Sequence, residues 1–163
     1  MDDFATRRLR PLAIGLILAL LAIGFGWGLG GVFGAAEASV KSILADSGAE
    51  ALQSAYGGDT AKMDQVVGKS WSYMKRAHLH GGVLGASAIA LILLLASLGT
   101  PRRSTQVAST ALGAGALGYG LYWMFAGFKA PGLGSTGLAK ESLDWLAIPS
   151  AGALLVGLGI TAV

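Results

Sequence analysis

Polar and apolar positions along this chain come in blocks. Pro11 to Gly34 carries no charge, Ala77 to Leu98 has two histidines as its only ionisable groups, and Val107 to Phe128 and Leu146 to Val163 are again uncharged. A helix of roughly 20 apolar residues crosses the ~30 Å of a bilayer's hydrocarbon core. The pattern predicts an all-α integral membrane four-helix bundle, a single membrane domain over 1–163. Its spans fall at about 11–34, 77–98, 107–128 and 146–163. The outer loop 35–76 is expected to form an extramembrane helical hairpin between the first two spans.

Finer periodicity fills in the connections. Val40, Ile43, Leu44, Ala51, Leu52 and Ala55 recur near helical spacing. Tyr56-Gly57-Gly58-Asp59 reads as a turn, with Asp59 or Thr60 as the cap of the next helix. Met63, Val66, Val67, Trp71 and Met74 form one stripe that continues through His78, Gly81, Gly82 and Gly85. This predicts one helix from about Thr60 to Leu98, its first part outside the bilayer. Gly99 to Ser104 is a basic turn in which Pro101 ends that helix. Lys129 to Trp145 reads as a loop opened by Pro131, with a short helix around Lys140, Glu141 and Asp144. Pro149 is expected to kink the last span or mark its first turn. The head Asp2–Arg10 and the run behind it resemble a secretory signal. The run is longer than a signal's apolar core of about 7–15 residues, so a retained first helix is expected.

Composition supports the membrane reading. Of 163 residues only 13% are charged and 26 are Gly, against about 25% charged and about 7% Gly in soluble domains. Mean hydropathy is positive at +0.62. With no Cys, disulfides, thiolate metal sites and iron–sulfur clusters are excluded. The net charge of +3 and the absence of a long basic run argue against nucleic-acid binding. Arg7, Arg8, Arg10, Arg102 and Arg103 are concentrated in two short segments, whereas the seven other basic residues are diluted in long loops by seven acidic ones. The positive-inside rule then places both termini in the cytoplasm, and the expected location is a bacterial inner (cytoplasmic) membrane.

Candidate chemistry gathers at the start of the second span. His78 and His80 are about 200° apart on a helix, so a regular helix cannot direct both at one metal ion. His78 continues the Met74 stripe on the glycine face, which admits another helix or a flat ligand. His80 falls on the side of Lys69, Tyr73 and Arg76 and is expected to meet loop, water or headgroups. Under this topology Trp71, Tyr122 and Trp123 lie at the same outer level, part of a one-sided aromatic surface. Met74, four residues before His78, and Met124 raise a His/Met copper site, His78 a haem ligand. A quinone needs only one His with apolar and aromatic walls. Small-xxx-small pairs at Gly24/Gly28, Gly26/Gly30, Gly30/Gly34 and Gly81/Gly85 predict close helix packing. No Asp, Glu or Lys lies mid-span, and there is no HExxH motif, nucleophile elbow or carboxylate pair. The chain is therefore expected not to be an enzyme on its own, while fitting as part of an oxidoreductase complex.

Ala77-His78-Leu79-His80-Gly-Gly-Val-Leu84-Gly85 resembles an Ala-His-x-His-x-x-x-Leu-Gly pattern of small bacterial four-helix membrane proteins. Some of these are uncharacterised and others are haem-copper-oxidase-like. The resemblance implies that His78 or His80 faces a haem, metal or quinone. The further histidines that such haem proteins carry on other helices are absent here. Two functions are expected from these readings. The first is a non-catalytic accessory or structural subunit of a larger respiratory or photosynthetic membrane complex, whose partners are the lipid bilayer and other membrane subunits. The alternative is a haem-, copper- or quinone-binding electron-transfer protein centred on His78, with His80, Met74, Trp71, Tyr122 and Trp123 as further cofactor-binding candidates.

Overall fold

The computed structural model of the protein describes residues 5–99 and 102–162. Among these the architecture is all-helical, with six α-helices. They are α1 (Ala13–Glu50), α2 (Leu52–Tyr56), α3 (Thr60–Leu98), α4 (Arg103–Leu133), α5 (Thr136–Glu141) and α6 (Asp144–Thr161). A π-type turn, Ala5–Leu9, and a 3-10 turn, Arg10–Leu12, lead into α1. The sequence expectation for Pro101 as a helix stop lies outside the described residues.

α4 is the centre of the bundle, packing against α1, α3 and α6, while α6 rests almost wholly on α4. The helices approach closely because the faces between them are lined with Ala, Gly and Ser. Ala19 and Ala22 of α1, Ala88 and Ala96 of α3, and Ala116 of α4 are all essentially inaccessible. They surround Leu12, Ile92 and Leu112 in one core. A Cβ at Gly81 would come within 2.9 Å of Phe25 and 3.0 Å of the Ala22 carbonyl, and one at Gly115 within 2.7 Å of the Ser150 carbonyl. With little hydrophobic force between helices inside a bilayer, such backbone-to-backbone packing is what holds membrane helices together.

The run Arg7–Glu50, α3 and α6 are long and apolar enough to cross a membrane. α4, at 31 residues, is not among the helices that meet this measure. Many of its buried residues are small, among them Ala108, Ser109, Gly113, Gly115, Ala116 and Gly120.

Several boundaries differ from the sequence expectation. The first of these is minor: α1 is two helical segments joined at Ala36, whose φ of −143° and ψ of 32° are not helical, so the break falls close to Gly34 as expected and the second segment runs on to Glu50. The second segment of α1 and the start of α3 are the long arms of the expected helical hairpin. They pack together through Gly48, Met63 and Val67. Asp59 caps α3 by accepting from the Lys62 N–H at 2.9 Å, and α3 runs unbroken to Leu98, both as expected. α4 does not end before Pro131. That proline sits in the last turn, and the helix closes at Gly134, whose φ of 65° suits glycine. Lys140 and Glu141 lie in α5 as expected, but Asp144 opens α6, and Pro149 lies within that helix beyond its first turn.

One end of the bundle gathers the start of α1, the end of α3, the start of α4 and the end of α6. Arg8 donates to the Ala96 and Ser97 carbonyls at 3.2 and 3.1 Å, covering the last turn of α3. Ser109 donates to the Leu12 carbonyl at 3.1 Å. A cleft of about 450 Å³ brings Leu98 and Arg102 beside Ile160 and Thr161. The hairpin folds back onto α4 at the opposite end, where Tyr56 donates to the Pro131 carbonyl at 2.7 Å.

Candidate functional site

The two histidines point to opposite sides of α3, as their 200° separation requires, and each meets a different helix. On the α1 side, Gly26 and Gly30 leave room for the His78 ring. A Cβ at Gly30 would fall 2.6 Å from its Cε1 atom. His78 Nδ1 lies 2.6 Å from the Gly26 carbonyl oxygen, which can only accept, so Nδ1 carries the proton and donates. That assignment leaves Nε2 as an acceptor with no hydrogen-bond partner among the described residues. Phe33 presents its edge to the imidazole at 6.2 Å between centroids and to Trp71 at 4.9 Å. Lys41 lies 5.2 Å over the Trp71 ring. A half-buried imidazole with an oriented Nδ1–H and an open Nε2 is the arrangement that suits a ligand for metal or a hydrogen-bond acceptor for a ligand donor.

Met74 does not join it. The side chain is buried with Val40 and Leu44, and its sulfur is turned to α4, within 2.8 Å of where a Gly127 Cβ would stand. Met124 packs against the same cluster. The His/Met pairing expected from helical spacing therefore does not form: the sulfur faces α4 and the imidazole faces α1. Among the described residues no three His, Asp or Glu side chains come together as a metal site.

On the α4 side, His80 corrects a second expectation. Partly exposed, it packs against the aromatic rings of α4. His80 meets Tyr119 edge-on at 5.2 Å and stacks on Trp123 at 6.1 Å with 29° between planes. Tyr73 and Tyr122 pack on Trp123 at 4.9 and 5.1 Å. Arg76 lies over the Trp123 and Tyr73 rings at 4.8 and 5.4 Å. Of the aromatics expected at the level of the histidines, Trp123 stacks on His80, and Tyr122 joins that cluster through Tyr119 and Trp123. The helical-wheel position of His80 beside Tyr73 and Arg76 was legible, but not that α4 covers this face. Tyr73, Arg76 and Tyr119 are the members that sequence reasoning left out of the site. Their i, i+3 and i+7 spacing with His80, and the Tyr119/Tyr122/Trp123 cluster, were the available signal. The Trp123 Nε1 atom is buried without a hydrogen-bond partner.

A third feature comes from the alternating glycines of α1. Gly26 and Gly30 face α3, and a Cβ at Gly26 would lie 2.9 Å from the His78 carbonyl. Gly24, Gly28 and Gly31 lie on the opposite face, exposed, with no atom within 4 Å of where a Cβ would be. Ala35 extends this open stripe. Trp27 flanks it, 73% exposed. Of the expected small-residue contacts, Gly26/Gly30 and Gly81/Gly85 are occupied within the chain, and Gly24/Gly28 and the Gly34 end of Gly30/Gly34 are not.

Comparison with known proteins finds no matching family model, curated relative or solved structure. The functional reading therefore rests on the geometry.

Proposed function

We propose that this chain is a non-catalytic accessory subunit of a larger membrane complex, and that it docks through the outer face of α1. The observation that carries this reading is the uncovered stripe Gly24, Gly28, Gly31 and Ala35. Lipid tails gain nothing from glycine, and each helical Gly costs about 1 kcal/mol relative to Ala. A partner helix does gain, because its backbone can come close. The inward glycines are accounted for by contacts within the chain; the outward ones are accounted for by a neighbour.

The reading includes four spans, with α4 as the fourth. Its 31 residues are about 46 Å of helix at 1.5 Å each, and three helices screen it from lipid. The Arg-rich end faces the cytoplasm of a bacterial inner membrane, with both termini there. A respiratory or photosynthetic oxidoreductase complex fits the aromatic and imidazole groups near the other interface.

The test is native electrophoresis of the chain extracted from its own membranes in mild detergent. Wild type is expected in a high-mass band, and Gly28→Leu as the free chain with unchanged helical content. Wild type migrating only as a free monomer overturns the reading.

A second reading is supported by the unpartnered His78 Nε2 between Phe33 and Gly30. It makes His78 the ligand or hydrogen-bond acceptor for a bound cofactor. A quinol hydroxyl meets an acceptor there without a second protein ligand, whereas haem or copper needs a further donor from a partner subunit. Quinone extracted with purified wild type and lost from His78→Phe supports it; equal amounts in both remove it.

A further inference from the structure

We propose that the groove between the start of α1 and the first three turns of α4 is a site for one anionic phospholipid. The groove has a volume of about 600 Å³. Ile14, Val107, Ala111 and Ala114 line it with apolar atoms, and the two alanines leave it room between the larger side chains. Ile14 and Val107 are 64% and 55% exposed, so the groove opens outward along the side of the bundle and not into its core. This is the shape and polarity of an acyl chain's bed.

The mouth has the opposite character. Arg103 and Gln106, on the first turn of α4, line the same groove. The Arg103 guanidinium has no ion pair or hydrogen bond among the described residues, and Arg10 is exposed on the neighbouring turn before Pro11. The N-terminal end of the α4 dipole adds positive potential at the same place. Thr110 places a hydroxyl one turn deeper, at the level of glycerol and ester groups. An unpaired guanidinium at the polar end of an apolar groove is complementary to one occupant: a phosphate with no compensating cation, joined to a hydrocarbon tail. Basic pockets between membrane helices recognise anionic headgroups by this charge match, and Arg binds phosphate through a planar fork of donors. A zwitterionic lipid brings its own cation and gains less.

The site rests on the membrane-spanning reading but not on the docking of α1, whose stripe is on another part of the helix. Native mass spectrometry of the full chain in detergent, with equal phosphatidylglycerol and phosphatidylcholine, tests it. Wild type is expected to hold one phosphatidylglycerol at least tenfold over phosphatidylcholine. Arg103→Gln should bring the two lipids to parity. Ala114→Phe, which puts a large side chain into the groove, should lose both adducts. Arg102→Gln, whose side chain faces the separate cleft at the end of the bundle, should keep the preference. Excess inorganic phosphate should leave the phosphatidylglycerol adduct in place. Parity in wild type, an unchanged preference in both Arg103→Gln and Ala114→Phe, or displacement by inorganic phosphate overturns the proposal. Carbonate extraction of membranes separates the two levels. A carbonate-resistant chain without lipid preference sinks the lipid site alone. A chain released by carbonate sinks the spanning reading with it.

Discussion

His78 donates from Nδ1 to the Gly26 carbonyl at 2.6 Å, tying α3 to α1 where Gly26 leaves no room for a Cβ beside the His78 and Gly82 backbone. Gly30, one turn further along α1, leaves the space that the ring occupies. Gly30→Val would push its side chain into the imidazole, and over-packing of this kind costs about 1–3 kcal/mol. The expected outcome is a lower melting temperature in micelles and loss of the Nδ1–H tautomer in nitrogen-15 spectra of the histidines. A wild-type His78 that carries its proton on Nε2 would contradict the assignment.

Two glycines on one helix should respond oppositely to the same change. At Gly26 a side chain meets the backbone of His78 and Gly82, which cannot rotate away. Gly26→Leu is therefore expected at or beyond the upper end of the ~1–3 kcal/mol range for over-packing. At Gly28 nothing lies within 4 Å, so Gly28→Leu should not destabilise the folded monomer and, by removing a helical glycine, should gain up to about 1 kcal/mol. Thermal melts of the two purified variants compare them directly. Equal losses would mean that the helix faces are wrongly assigned.

Arg76 is held by rings. It lies 4.8 Å from the Trp123 centroid and makes no ion pair among the described residues. Contacts of this type contribute about 0.5–2 kcal/mol, more where water is excluded. Arg76→Ala should lower stability within that range and shift the emission of Trp123 in a chain whose other three tryptophans are replaced by Phe. Arg76→Lys keeps the charge without the flat stacking surface and should fall between. Unchanged emission in Arg76→Ala would remove the contact as a feature of the protein in solution.

What could be read from the chain, and what could not, divides along a physical line. α3 was legible as one helix because its apolar stripe holds phase from Met63 to Gly85 and Asp59 is a capping residue at the right place. The divergence of His78 from His80 follows from helix geometry alone. Which helix covers each histidine does not, because that is a tertiary choice between equally small faces. Spacing cannot tell Gly24/Gly28 from Gly26/Gly30; only the packing of α3 against one pair does. Pro131 looked like a stop because proline breaks helices in their middle. In a last turn it removes one hydrogen bond, and Gly134 provides the better terminus.

Tyr56 gives the hairpin a test at alkaline pH. The residue is 5% exposed, and its hydroxyl donates 2.7 Å to the Pro131 carbonyl, clamping the turn after α2 onto the end of α4. The same carbonyl also accepts from the Gly134 N–H at 3.3 Å. Tyr56→Phe therefore leaves it partnered, and the expected loss is a net hydrogen bond, about 1 kcal/mol. Burial pushes the Tyr56 phenol above its ordinary value of 10.0. A pKa raised in the folded state means that the unfolded chain loses this proton first. The stabilisation is thus complete below pH ~10 and is lost as pH climbs from there through the higher folded value. Wild type should lose its advantage over Tyr56→Phe in that window, because the variant has no phenol at this position and the other tyrosines titrate in both. The check is a pair of denaturation series from neutral pH upward, read as the difference between the two proteins. A difference that stays constant past pH ~10 would show that the Tyr56 hydroxyl is not held in a dry contact with α4.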